Sequence, residues 1–266
     1  MTNYTTLRVE RPQPGIALAT LDRPDRRNAI TFRMFDEFVE LQAEIENDPA
    51  VRALIVTGSG QGFCAGLDLD EAATLPHMSA AQMLRGQESW ARSVSGFQRM
   101  TTPVIAAVNG AAAGAGMSLA LAADFRIAAT SARFNAAFVR IGLSGGDLGT
   151  SWALPRLVGL GRATEILLTG RFVDAAEALR IGLVTDVCEP DDLLDRAFEV
   201  AEAIRGNSPV GMALTKQVIQ TNVDASSLDA ALSLENRNQV LASRTADMSE
   251  ALAAFREKRS PQFTGE

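Results

Sequence analysis

The stretch from Pro103 to Asp124 constrains this chain more than any other. Val104 to Val108 is an apolar run of strand length, Asn109-Gly110 is a turn signal, and the small residues Ala111 to Ala123 then take on helical character. The pattern predicts a buried strand that turns directly into a helix opening near Gly114. The first amides of a helix have no internal partner and lie at the positive end of its dipole, so such a corner can hold an oxygen carrying negative charge. Small residues at a strand-to-helix turn also serve simply to pack the helix closely on the sheet.

A second corner of the same kind weighs against that simpler role. Gly58-Ser-Gly-Gln-Gly-Phe-Cys-Ala-Gly-Leu-Asp-Leu-Asp70 follows another buried run, Ala53 to Thr57, and turns through small residues into an acidic helix start. Two corners that present amides point to one site with two donors.

The rest of the chain fits parallel β/α units. Thr5 to Arg11 and Ile16 to Leu21 flank Pro12-Gln-Pro-Gly15 and read as a hairpin. Thr31 is a helix cap for the stripe Phe32, Phe35, Phe38, Val39 and Ile45, which Asn47-Asp-Pro49 ends. A helix with Met83, Leu84, Trp90, Val94, Phe97 and Met100 on one side precedes the central stretch, and that stripe reads as core packing. Phe125 to Ala129 is the next strand, Thr150 to Val158, Ala163 to Leu168 and Val173 to Arg180 are helical, and Leu183 to Cys188 is a late strand. Beyond Pro190 only helices are predicted, over Leu193–Arg205, Val210–Thr221, Ala225–Ser243 and Ser249–Lys258. A helical tail of that kind packs on the main domain or on a neighbouring subunit.

Composition removes several classes of function. A chain of 266 residues with 47% hydrophobic content suits one large domain with a helical appendix. No apolar run approaches the roughly 18 to 20 residues of a membrane span, and the first residues lack a signal-peptide pattern, so a cytoplasmic protein with no membrane partner is expected. A net charge of −7 argues against a nucleic-acid surface. Cys64 and Cys188 are far apart without metal-like spacing and read as reduced thiols. Local basic clusters, Arg23, Arg26 and Arg27 near one end and Arg256, Lys258 and Arg259 near the other, leave room for a small anionic ligand.

Some motifs fail on inspection. Gly142-Leu-Ser144-Gly-Gly146 has the spacing of a serine-hydrolase elbow, but that chemistry needs a histidine after the serine and His77, the one histidine, precedes it. His77 reads as a surface or lid residue. Neither a phosphate-binding P-loop nor a full dinucleotide fingerprint is present.

Together these segments resemble the crotonase, or enoyl-CoA hydratase/isomerase, superfamily. The likeness lies in Leu21-Asp-Arg-Pro-Asp-Arg-Arg-Asn-Ala-Ile30, Gly62-Phe-Cys-Ala-Gly-Leu-Asp68, Pro103-Val-Ile-Ala-Ala-Val-Asn-Gly110, Gly114-Ala-Gly116 with Asp124, Ala176-Glu-Ala-Leu-Arg-Ile-Gly-Leu-Val184 and Phe255-Arg-Glu-Lys-Arg259, in that order. It covers nearly the whole chain. It implies an α/β fold, a crotonase-like ββα spiral core over residues 1–190 with a C-terminal helical oligomerisation region over 191–266 that forms a homotrimer or a dimer of trimers. It also implies an acyl-CoA thioester substrate, with no metal and no cofactor beyond the coenzyme A of the substrate itself.

By motif match the two carbonyl-binding amides are those of Leu67 and Ala115. The coenzyme A contacts fall on Arg26, Arg27 and Ala29, on the backbone of Ala65, Gly66 and Asp68, and on Phe255 and Lys258, the last two from the same chain or a neighbour. The family commonly has glycine at Ala115, and an alanine keeps the N–H provided its methyl group fits.

The departures are chemical. Typical hydratases carry two glutamates where this chain has Ser118 and Phe138, and neither can act as a carboxylate base. Asp147, in Gly145-Gly-Asp-Leu-Gly-Thr150, resembles the aspartate that serves as base in dienoyl-CoA isomerases and as nucleophile in 4-chlorobenzoyl-CoA dehalogenases. It also suits the N-cap of the helix beginning near Thr150. The expectation is therefore an acyl-CoA-processing enzyme in which Leu67 and Ala115 polarise the thioester, Asp147 is the acid/base and Ser118 places water or substrate. The alternatives are an enoyl- or dienoyl-CoA isomerase using Asp147 alone, and a non-catalytic acyl-CoA-binding relative.

Overall fold

The computed structural model describes residues 3–266. Strands β1 (Leu7–Gln13) and β2 (Ile16–Leu21) form the expected hairpin, with Leu7 opposite Leu21. Helix α1 (Phe32–Glu46) follows, capped by Thr31, whose side chain accepts the Met34 N–H at 3.1 Å. Its apolar stripe buries Met34, Phe35, Phe38, Leu41 and Ile45.

From there the chain repeats one motion, a strand in a large sheet, a short strand in a second sheet, then helix. The first turn contains β3 (Ala53–Gly58), β4 (Gly62–Cys64), α2 (Leu69–Ala72) and α3 (Ala80–Arg99). The second contains β5 (Val104–Val108), β6 (Ala111–Ala113) and α4 (Ala115–Ala122). The third runs through β7 (Phe125–Ala129), β8 (Arg133–Asn135), α5 (Thr150–Val158) and α6 (Leu160–Thr169). After β9 (Val173–Asp174), α7 (Ala175–Arg180) and β10 (Asp186–Cys188), the chain ends in α8 (Leu193–Arg205), α9 (Pro209–Asn222), α10 (Leu228–Ala242) and α11 (Ala246–Glu257). The large sheet has the order β1-β2-β3-β5-β7-β10 and is parallel beyond the hairpin. The second has the order β4-β6-β8-β9, with only β9 antiparallel.

Three of the short strands lie in segments where a direct passage from strand to helix or loop was expected. A strand of three residues is too short to display alternation, and β4 and β6 consist of residues that also suit turns. Likewise Val173 and Asp174 pair as β9 before α7 begins, and the late strand is shorter than Leu183–Cys188.

The large sheet is buried on both faces, as parallel sheets generally are. One face sends Ala17, Ala19, Leu54, Val56, Ala106 and Ala128 into the main core with the second sheet and the helices. The other sends Ile16, Ile55, Ile105, Ala107 and Ile127 against Leu193, Ala197, Ala201 and Ile204 of α8. Thus α8 completes the core packing, and the helices that stand off the sheet begin with α9. Their outer faces leave Ile219, Val223, Leu228, Val240, Leu241 and Phe255 exposed. One buried ion pair fastens α9 to the spiral. Lys216 Nζ lies 2.7 Å from Asp124 Oδ2 and donates to the Thr102 carbonyl at 3.2 Å.

Candidate active site

The two glycine-rich corners meet in adjacent turns of the spiral. Cys64 and Ala112 are register partners in the parallel pair β4–β6, and Leu67 and Ala115 each stand three residues beyond them. Neighbouring strands are about 4.8 Å apart, a separation at which two N–H groups can each reach one oxygen at roughly 2.9 Å.

Each corner leaves its amide free. Ile30 N donates to Gly66 O at 2.7 Å and Asp68 N to Ile30 O at 2.8 Å, so the chain on either side of Leu67 is held while the Leu67 N–H has no acceptor among the described residues. Ala115 opens α4, where no earlier turn can accept its N–H, and it too lacks a partner. Gly66 has φ +96°, and a Cβ there would stand 2.8 Å from the Ala113 carbonyl and 3.6 Å from Ala115 N. A Cβ on Gly116 would collide with the Cys64 carbonyl. Small residues are thus required for the two corners to approach. The methyl group of Ala115 is accommodated in the core, with the residue only 2% exposed.

Leu67 and Ala115 both line a cavity of about 470 Å³. Its walls are mostly apolar, with Phe35, Leu69, Met83, Trp90, Phe138, Ile141 and Leu148 among them. Trp90 is clamped in place by stacking on Phe32 at 4.7 Å and on Phe35 at 5.9 Å between ring centroids. Asp147 is the only ionisable side chain among the lining residues. Its Oδ1 accepts the Leu148 N–H at 2.8 Å and a hydrogen bond from Gln87 Nε2. Burial pushes its carboxyl above the usual carboxylate range, against those two bonds, which favour the charge. Leu148 next to it is held at φ +47°, an unusual conformation for a branched side chain.

The alternative role of Asp147 as a helix cap does not hold. The residue at the N-cap of α5 is Gly149 and there is no side-chain cap bond. Thr150 N instead uses the backbone carbonyl of Asp147, at 2.9 Å. Ser118 also requires correction. It was expected to place water or substrate, yet it is absent from the cavity wall and only 1% exposed. Its hydroxyl lies 2.7 Å from Thr150 Oγ1 and 3.3 Å from the Gly114 carbonyl, joining α4 to α5. A helix buried on every side, as α4 is, must satisfy such a hydroxyl locally. Phe138 does line the cavity, as an apolar wall.

The segment expected to bind coenzyme A runs beside the first corner. Ala65 N donates to Arg27 O at 3.0 Å, which brings Arg26, Arg27 and Ala29 alongside Ala65, Gly66 and Asp68. Arg27 and Asn28 both have positive φ, 49° and 56°. Asn28 pins the bend from inside, donating from Nδ2 to the carbonyls of Ser59 at 2.9 Å and Gly62 at 2.8 Å. Arg26 is exposed and paired with Asp70 at 2.7 Å, while the exposed Arg27 has no ion pair among the described residues. The Asp68 carboxylate is occupied by Arg23 at 2.8 Å and by the Asp70 amide. Burial opposes its charge, but these bonds hold its pKa below the usual value. Phe255 and Lys258 do not join this group within one chain. They lie at the end of α11, with Phe255 85% exposed, and neither lines the cavity.

Sequence reasoning missed Gln87 and Asn28 and assigned Met83 and Trp90 to the core; both line the cavity, and Trp90 also packs against the main core as expected. A signal existed for Gln87. With Met83, Trp90 and Val94 it shares one face of α3, where it is the polar interruption of an apolar stripe.

Comparison with known proteins agrees with this fold. The structure superposes on an enoyl-CoA hydratase from Bacillus anthracis with a TM-score of 0.93 and 34% identity, covering 98% of this chain and 100% of that one. The fold is that of the crotonase superfamily. Residues 11–266 match the family described as enoyl-CoA hydratase/isomerase, and the chain belongs to that family. The Mycobacterium tuberculosis H37Rv protein described as a probable enoyl-CoA hydratase, EchA12, is 42% identical over 261 residues, 96% of this chain and 92% of its own. The 1,2-epoxyphenylacetyl-CoA isomerase of Escherichia coli K12 is 39% identical over 254 residues, 95% and 96% of the two chains.

Proposed function

We propose that this protein is an enoyl-CoA isomerase that moves a double bond along an acyl-CoA thioester with Asp147 as its single acid/base. The observation that carries this reading is the cavity's inventory, two unpartnered amides and one ionisable side chain. The thioester oxygen sits between the N–H groups of Leu67 and Ala115. Asp147 takes a proton from C2 of a 3-enoyl-CoA, and the electron pair of that C–H bond delocalises onto the oxygen, where each amide contributes about 2.7–4 kcal/mol to the barrier reduction. The same carboxyl returns the proton to C4, leaving a 2-enoyl-CoA and an ionised Asp147. A carboxyl whose pKa is raised by burial is suited to both halves of that exchange. Arg26 and Arg27 meet the phosphates of coenzyme A as the thioester enters beside Ala65 and Gly66. The exposed apolar residues of α9, α10 and α11 associate the chain into a homotrimer, in which Phe255 and Lys258 reach a neighbour's coenzyme A.

The test is to incubate the purified protein with a 3-enoyl-CoA and a 2-enoyl-CoA in heavy water. The expected result is interconversion of the two, with much of the hydrogen moved from C2 to C4 retained from substrate. A product that is only the 3-hydroxyacyl-CoA identifies a hydratase, and tight binding without turnover of either substrate identifies a binding protein. Both results overturn the isomerase reading.

A further inference from the structure

We propose that Gln87 is a positioning residue for Asp147, fixing the carboxylate so that Oδ2 rather than Oδ1 meets the substrate. This rests on Asp147 being the acid/base. Oδ1 is engaged twice, by Gln87 Nε2 and by the Leu148 N–H, whereas Oδ2 has no partner among the described residues. One donor comes from a distant element, helix α3, and the other from the residue next to Asp147 in the chain. Gln87 sits on α3, one helical turn from Met83 and one from Trp90, and the stacking of Trp90 on Phe32 holds that face of the helix in place. Leu148 presents its N–H from a left-handed conformation on a buried residue, so the second donor is equally fixed. A carboxylate gripped through one oxygen cannot turn about its Cβ–Cγ bond without losing both bonds. The proton-carrying oxygen is thereby chosen before substrate arrives.

The electrostatics of the wall leave Gln87 as the one side chain that tunes this group. The charged residues of α3 (Arg85, Glu88, Arg92 and Arg99), Arg140 of the 137–141 turn and Arg156 of α5 are all absent from the cavity lining. Loss of the Gln87 donor removes support for the ionised carboxylate, so the pKa moves further up.

The experiment compares wild type, Gln87→Leu, Gln87→Asn and Asp147→Asn by the pH dependence of kcat on a 3-enoyl-CoA. Gln87→Leu is expected to lower kcat roughly ten-fold at neutral pH with KM changed less than about two-fold, and to move the acidic limb up by about one pH unit. Gln87→Asn, whose amide is one methylene short, falls between Gln87→Leu and wild type in both respects. A wild-type kcat and an unmoved limb in Gln87→Leu, alongside an inactive Asp147→Asn, overturn the positioning role and leave the acid/base reading standing. An active Asp147→Asn removes the acid/base reading itself, whatever Gln87 does.

Discussion

Two half-buried aspartates, Asp124 and Asp147, stand in contrasting surroundings. Asp124, where β5 and β7 meet α9, receives the Val104 N–H at 2.8 Å and the Lys216 ammonium at 2.7 Å. Asp147, on the cavity wall, has only an amide and a carboxamide on one oxygen and no cation. Burial pushes both carboxyls up, and it pushes Lys216 down against the pull of Asp124. The difference between them is therefore the counter-ion and the access. A carboxylate with a matched ammonium is committed to holding two elements together, and its proton is of no use to a ligand. A carboxylate with neutral donors on one side and open space on the other keeps a proton affinity that a substrate can exploit.

The contrast can be broken most forcefully at the cavity. Asp147→Asn should lower kcat by about 10²–10⁴-fold while leaving thioester binding measurable by calorimetry. An equal loss of kcat per folded molecule in Asp124→Asn would erase the distinction. Next in size is Lys216→Met, which leaves Asp124 buried without its cation and should cost about 3–5 kcal/mol in urea unfolding. The double variant Lys216→Met/Asp124→Leu should recover only part of that loss, because the apolar pair carries no charge to desolvate but the buried Val104 N–H loses its acceptor, at about 1–3 kcal/mol. Ser118→Ala should cost about 1–3 kcal/mol by leaving the Thr150 hydroxyl short of a partner, with kcat unchanged, since its hydroxyl is turned from the cavity. A drop in kcat there would return Ser118 to the chemistry.

The smallest effect concerns stability and pH. A folded-state pKa raised above the unfolded value means that ionised Asp147 opposes folding. The cost is absent below the unfolded carboxylate range, appears as pH rises through it and is complete above the folded pKa. Asp147→Asn never carries this cost. It should melt slightly above wild type at neutral pH, and the gap should close in acid.

The two regions also differed in how far the sequence disclosed them. The long strands β2, β3, β5 and β7 carry apolar runs bounded by turn residues, and α8 to α11 carry helical periods, so their limits could be read within a few residues. The second sheet could not, since its strands of two or three residues contain no full period, and only kinship implied a second strand in each turn. At the site, backbone donors were legible because glycine and alanine mark where chains must approach. The fate of side chains was not. Ser118 and Asp147 are both small polar residues near the same corner, and which one faces the cavity depends on the packing of α4 against α5. Gln87 lies 60 residues from the carboxylate it touches, a distance across which no local pattern operates.

Leu67 and Ala115 occupy matching places past one pair of aligned strands, so the grip proposed for the thioester oxygen would have its dimension set by the sheet's own repeat. No exchange of the Leu67 side chain by itself removes its N–H, short of a proline. The proposed acid/base group enjoys no such protection, as a substitution at position 147 rewrites it. A scaffold divided in this way can change which bond it makes or breaks while continuing to activate the same carbonyl.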